Sequence, residues 1–238
     1  MIKHFLAFEK QIADLEGKIE ELRHLSSGSD INIAEEIGKL QASVSEKLKS
    51  TYSQLSPWQK VLVSRHPERP HFQDIIKSLF EDYIPLSGDR NFSDDNALTG
   101  GIAFFRGKSL EITVPSISVI TGEGGSGGAV ALAVANNTLM LEHAIYSVIS
   151  PEGCSSILWR SSDHADQAAE ALKLTAQDME KFKIIDEIIP EPIGGAHRDP
   201  IITIKSIGDV IEKRLKELMV KSKDELLKQK EKKYLEIG

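Results

Sequence analysis

Residues 122–128 (GEGGSGG) hold five glycines, separated only by Glu123 and Ser126. Glycine loses more conformational entropy on folding than any other residue. Such a run persists where the backbone itself must touch something. Ahead of it, Ile117, Val119 and Ile120 follow Pro115 in a β-branched run that reads as a buried strand. Behind it, residues 129–135 (AVALAVA) are small and apolar, a helix able to pack closely on a sheet. A strand, a glycine loop and a helix start together aim backbone N–H groups, and the positive end of a helix dipole, at a bound anion or a developing oxyanion.

The spacing fits several chemistries. Gly122-x-Gly124-x-x-Gly127 matches a dinucleotide fingerprint, and Glu142, at the end of the strand-like residues 138–141, lies about 20 residues on, where that fingerprint places an acid. Gly124-x-Ser126-x-Gly128 matches the nucleophile elbow of serine hydrolases, with Asp163, His164, Asp186 and His197 downstream in the required order. A third reading is a bare oxyanion hole with no side-chain chemistry. A fourth is a tight strand–helix turn that needs glycine for packing alone. No Gly-Lys-Ser/Thr follows, which excludes a P-loop.

The elements that must position this stretch follow from periodicity. Phe8, Ile12, Leu15, Ile19 and Leu22 recur at steps of three and four, as do Ile33, Ile37, Leu40, Val44 and Leu48, with residues 26–30 (SSGSD) between them. Residues 1–55 therefore read as an antiparallel helical hairpin, a coiled-coil-like arm for assembly. Ser56-Pro57 starts a helix that stops before Pro67, and residues 66–70 (HPERP) form a rigid connector. Residues 72–84 read as an amphipathic helix. In the polar turn after it, Asp89 and Arg90 read as a local ion pair rather than a ligand site. Residues 100–105 read as a strand, with 106–108 its hairpin turn.

Beyond the glycines, residues 146–149 and 184–189 read as strands. Residues 150–153 cap one helix, 163–174 form another and Thr175 starts a third. The tail from 201 to 234 is helical, with Ile204, Ile207, Val210, Ile211, Leu215 and Leu218 on its apolar face. Three regions result: the hairpin (1–55), an α/β core (56–200) and C-terminal helices (201–238).

Composition narrows the function. A chain of 238 residues, 40% hydrophobic, allows one globular core with an appendage. A net charge of −7 argues against a nucleic-acid binder. A single cysteine, Cys154, excludes a disulfide framework and suggests a reducing compartment. The seven histidines are scattered, so no metal site is expected. The first ten residues lack a signal-peptide apolar core, and no apolar run reaches a membrane span. The expectation is a soluble, cytoplasmic protein.

Five ordered motifs are less generic. Residues 122–129 (GEGGSGGA), 146–153 (YSVISPEG), 189–197 (IPEPIGGAH), 66–70 (HPERP) and 88–90 (GDR) with Asp94-Asp95 resemble the carboxyltransferase alpha subunit of bacterial acetyl-CoA carboxylase, as does the helical hairpin. The resemblance covers nearly the whole chain. It implies a crotonase-like fold of repeated β-β-α turns and pairing with a beta subunit, two of each. It also implies transfer of a carboxyl group from carboxybiotin on a separate biotin carboxyl carrier protein to acetyl-CoA, giving malonyl-CoA. Biotin carboxylase would recharge the carrier. The site it implies is an oxyanion hole from the N–H groups of Gly127 and Gly128, with Gly124, Gly125 and Ser126 lining the substrate.

The chain departs from that family at one place. It passes from residues 106–108 (RGK) straight to residues 109–115, the family's run-up to the glycine loop. Roughly two supersecondary units, each ~30 residues, are absent. The implied fold is then incomplete, with Ile102, Phe104 and Phe105 on one side and Ile112, Val114 and Ile117 on the other along an uncovered surface. An inactive or assembly-only deleted paralogue remains a second reading.

Overall fold

A computed structural model describes residues 4–25, 31–86, 99–106, 108–109 and 115–237. The hairpin is present as α1 (Lys10–Leu25) and α2 (Ile31–Tyr52). Ile12, Ile19, Val44, Leu48 and Tyr52 are buried between them, joined by Val63 of α3 (Pro57–Ser64). The linker at 26–30 lies outside the described residues. Ser56 caps α3: its side chain accepts from the Gln59 N–H, and Gln59 reaches back to the Ser56 N–H.

The helix expected over 72–84 is shorter. α4 spans Phe72–Leu79, and Phe80–Leu86 is strand β1. Phe80 adopts extended dihedrals, Pro85 lacks the N–H a helix needs, and pairing with β2 (Gly100–Phe105) overrides the helical period. β1 runs antiparallel to β2 with Phe80 opposite Phe105, and Asp82 (φ 50°) sits at the irregularity between Glu81 and Ile84. β3 (Lys108–Ser109) pairs back on β2 with Phe105 opposite Lys108, so the chain does reverse there, but Lys108 is in the strand rather than in the turn. The Asp89–Arg90 pair and Asp94-Asp95 lie outside the described residues, as do Ile112 and Val114. Ile102 (58% exposed) and Phe104 (40%) are uncovered as expected, but Phe105 is not. Its ring is buried 5.3 Å from that of Phe80. Ile117 is half-buried against the main core.

From residue 117 the chain repeats a strand–strand–helix unit. The first unit is β4 (Ile117–Ile120), β5 (Glu123–Gly125) and α5 (Ser126–Leu132). The second is β6 (Asn137–Leu141), β7 (Ile145–Ser147) and α6 (Pro151–Trp159). Their leading strands, with β8 (Glu187–Ile189) as a third, form a parallel sheet in the order β4-β6-β8. Their second strands form a parallel pair, β5-β7. Every residue of β6 is buried, as a central parallel strand covered on both faces requires. Leu139, Met140 and Leu141 anchor the main core with Ile189, Ile204 and Ile207.

Several boundaries differ from expectation. Residues 123–125 are a strand rather than loop. Backbone without side chains can lie against β7: a Cβ on Gly124 would stand 3.0 Å from the Tyr146 ring and 3.2 Å from Ile120. α5 begins three residues before the expected helix. β8 is half the expected strand, because the N–H groups of Ile184 and Ile185 both turn back to the Met179 carbonyl within α8 (Ala176–Lys181). The helix expected over 163–174 is a short 3-10 turn, Ser162–His164, followed by α7 (Ala165–Leu172). The tail divides into α9 (Pro200–Met219) and α10 (Lys223–Leu235), with Ser222 as a fresh cap. Among the described residues no helix is long and apolar enough to cross a membrane.

The core strand sets a stability expectation. Leu139→Ala should cost about 2–5 kcal/mol, since the cavity is enclosed on both faces. Leu132→Ala, at a site 67% exposed, should stay within about 0.5 kcal/mol. Urea denaturation followed by circular dichroism compares the two. Equal losses would contradict the placement of the core.

Candidate functional site

The glycine turn links β5 to α5. Its N-cap is Gly125, in extended backbone, and no side chain caps the helix. The first N–H groups of a helix have no intrahelical partner. In α3, α6, α8, α9 and α10 a hydroxyl or carboxylate accepts from them: Ser56, Ser150, Thr175, Asp199 and Ser222 respectively. α5 has no such cap. Residues 125–128 are exposed, and a Cβ on Gly125, Gly127 or Gly128 would meet nothing within 4 Å. Those three glycines therefore leave open space in front of uncapped donors. Gly124 differs, because packing alone accounts for it. Ser126, between them, takes a left-handed φ of 68°.

Of the side chains that a serine hydrolase would pair with Ser126, His197, Asp186 and His164 are engaged elsewhere. Ser126 Oγ has no hydrogen-bond partner among the described residues. His197 stacks on His66, ring centroids 3.7 Å apart. Asp186 accepts from the Thr138 N–H at 2.6 Å and from Lys233 Nζ at 2.5 Å. His164 packs on Trp159. Glu142, the acid of the dinucleotide pattern, accepts from the Glu191 N–H at 3.1 Å, so its carboxylate braces the chain after β8. Among the described residues no three His, Cys, Asp or Glu side chains gather as a metal site.

The arginines and acids that support the turn are absent from the sequence-based site. Arg69 is buried and makes four hydrogen bonds to two partners. Nε and Nη2 bond the Thr121 carbonyl at 3.2 and 2.9 Å, and Nη1 and Nη2 bond Glu191 at 2.9 and 2.7 Å. Glu191 also accepts from the N–H groups of His143 (3.0 Å) and Ala196 (2.6 Å). Thr121 leads directly into the glycines, so this network holds the entry to the turn. Arg65 joins Glu123 to Glu152 nearby. The available signal was a charged residue held between prolines in each motif: Arg69 before Pro70, and Glu191 between Pro190 and Pro192.

Burial and charge tune these groups. Burial opposes the Glu191 carboxylate, but Arg69 and the His143 N–H hold its pKa below the usual carboxylate range. Burial lowers the His143 pKa. For His197, burial first, then the stacked His66 and the charge of Arg198, push the ring down to about 3. Tyr52, buried and bonded at 2.9 Å to the buried Glu9, is pushed up.

Two outcomes follow. Arg69→Met leaves a buried carboxylate unpaired and should cost about 3–5 kcal/mol in denaturation. His197 is neutral when folded, yet the unfolded ring binds its proton near pH ~6.5. Its contribution is therefore complete above that pH and is lost as pH falls toward 3, with a ceiling of ~1.4 kcal/mol per pH unit. In His197→Gln the stability slope between pH 6 and 4 should flatten, and an unchanged slope would assign it to other groups.

The family described as acetyl co-enzyme A carboxylase carboxyltransferase-like matches residues 5–112 and 107–238. A relative from Paramagnetospirillum magneticum is 43% identical over 311 residues, covering 99% of this chain and 98% of its own. Relatives from Rhodospirillum centenum (42% over 311 residues, 99% and 98% covered) and Sphingopyxis alaskensis (39% over 310 residues, 98% of each) are similar. All three are named acetyl-coenzyme A carboxylase carboxyl transferase subunit alpha. The two family matches meet at 107–112, and 311 aligned positions against 238 residues leave at least 73 with no counterpart here. That seam is where the motif comparison finds the family's segment absent. Matched along both sides of it, from residue 5 to residue 238, the chain belongs to the acetyl-coenzyme A carboxylase carboxyltransferase family.

Proposed function

We propose that this chain is an alpha-type carboxyltransferase subunit. It moves a carboxyl group from carboxybiotin, carried on a separate protein, to acetyl-CoA, giving malonyl-CoA for fatty acid biosynthesis. The observation that carries the reading is the uncapped, exposed first turn of α5 behind glycines that leave open space. As the carboxyl group leaves the ureido nitrogen, negative charge builds on the ureido oxygen. The N–H groups of Gly127 and Gly128 are donors available to it, with Gly124, Gly125 and Ser126 contributing backbone around the substrate. The ureido nitrogen freed by that departure takes the proton that the acetyl-CoA methyl gives up as its new C–C bond forms, so this chain supplies fixed donors aimed at developing charge and no side-chain acid or base. The two strand–strand–helix units, each adding one strand to each of two parallel layers, support a crotonase-like spiral. Working partners would be a beta subunit in a heterotetramer, the biotin carboxyl carrier protein and biotin carboxylase, in the cytoplasm.

A second reading is an assembly-only subunit. It is favoured by the exposure of Ile84 (62%), Leu86 (58%) and Ile102 (58%) on the antiparallel sheet, an apolar surface that a partner would cover. Malonyl-CoA formation with a beta subunit and a carboxylated carrier decides between them. Binding without turnover supports the assembly reading, and no binding sinks both.

Within an active complex, Gly128→Val should abolish transfer by filling the space before the donors. Ser126→Ala should leave transfer within a few fold. Labelling of Ser126 by a fluorophosphonate probe would instead favour a serine nucleophile.

A further inference from the structure

Beyond the β5–β7 backbone pairing, the glycine turn has few side chains of its own to hold it. Gly124, Gly125, Gly127 and Gly128 lack side chains, and Ser126 Oγ is unpartnered among the described residues. Glu123 is the last side chain before the turn that is tied down, and Arg65 ties it. The Arg65 fork gives Nε and Nη2 to the two Glu123 oxygens, both at 2.7 Å. Its other edge reaches Glu152 in the first turn of α6, Nη1 at 2.6 Å and Nη2 at 3.2 Å. Arg65 itself is fixed at the end of α3, where its N–H bonds the Val61 carbonyl. The preceding backbone lies so close to the turn that a Cβ on Gly122 would stand 3.1 Å from the Ser64 carbonyl oxygen.

We infer that Arg65 is a positioning residue: it grips Glu123 and Glu152 together and so fixes the glycine turn between α3 and the second strand–strand–helix unit. The inference rests on the carboxyltransferase reading of that turn. All three side chains are about one-third exposed (31%, 33% and 38%), and pairs of that exposure add little to global stability. What they supply is geometry. A planar fork satisfies two carboxylates at set angles, which a lysine ammonium does not. Geometry matters here because Ser126 holds a left-handed backbone that surrounding contacts must maintain. Preorganised donors act only if they are already aimed when charge develops. Arg69 holds the approach to the turn at the Thr121 carbonyl, and Arg65 holds it two residues further on at the Glu123 side chain.

The test compares Arg65→Met, Arg65→Lys and Glu152→Gln in the complex with a beta subunit. Three quantities are read: kcat and KM for acetyl-CoA, melting temperature, and amide exchange of the peptide spanning 124–129. Arg65→Met should lower kcat on the order of 10²-fold, the scale of a misplacement of about 1 Å. KM and melting temperature should hardly move, and exchange should rise in the turn alone. Arg65→Lys should recover part of kcat, and Glu152→Gln should fall between wild type and Arg65→Met. Unchanged turn exchange in Arg65→Met overturns the inference, as does a kcat loss that tracks melting temperature across the series. If Arg65→Met does not fold, Glu152→Gln carries the same comparison. Should the unaltered complex make no malonyl-CoA, the carboxyltransferase reading fails, while exchange still decides whether Arg65 holds the turn.

Discussion

A carboxylate with no exposed surface must be matched by charge and by donors, and Glu191 draws three parts of the chain together to achieve this. Arg69 comes from the proline-framed connector after α3, the His143 N–H from the β6–β7 turn, and the Ala196 N–H from the loop before α9. The same guanidinium takes up the Thr121 carbonyl. The paired side chains are 4% and 0% exposed. Replacing such a pair by apolar residues is often neutral, whereas removing one member is not. The pair therefore acts as a specification: connector, glycine turn and third leading strand keep one mutual placement.

Much of the architecture was legible because local rules decided it. The heptad-like spacing of Ile12, Ile19, Val44 and Leu48 led to the right helices. Ser56, Ser150 and Thr175 cap as their positions in sequence suggest. Elements set by distant partners were not legible. Residues 80–84 continue an amphipathic period that suits a helix, yet β2 claims them as part of a strand. Residues 123–125 have no strand propensity, since glycine is depleted in strands. They become one because β7 offers a parallel edge, where a Cβ at Gly124 would crowd Tyr146 and Ile120.

The site divides along the same line. Its donors lie in the backbone and announce themselves through glycine spacing, which three unrelated chemistries share. The choice among these depends on side chains far away in sequence: Glu142 braces Glu191, His197 stacks on His66, and Asp186 meets Lys233. No spacing rule reports such pairings. Arg65 and Arg69, four positions apart, reach Glu123, Glu152 and Glu191, and ordered motifs along the chain pointed to the family before any of these contacts was visible.

The hairpin is fastened to the core by Arg198, which reaches Glu9 at 3.3 Å and Glu16 at 2.5 Å across 189 and 182 residues of chain. Helix pairing within the hairpin is local and fast, but contacts at such separation wait for loop closure. During synthesis α1 and α2 are made long before the arginine that secures them. The hairpin is thus locked late, and its apolar seam must shelter in its own pairing while the residues between are made.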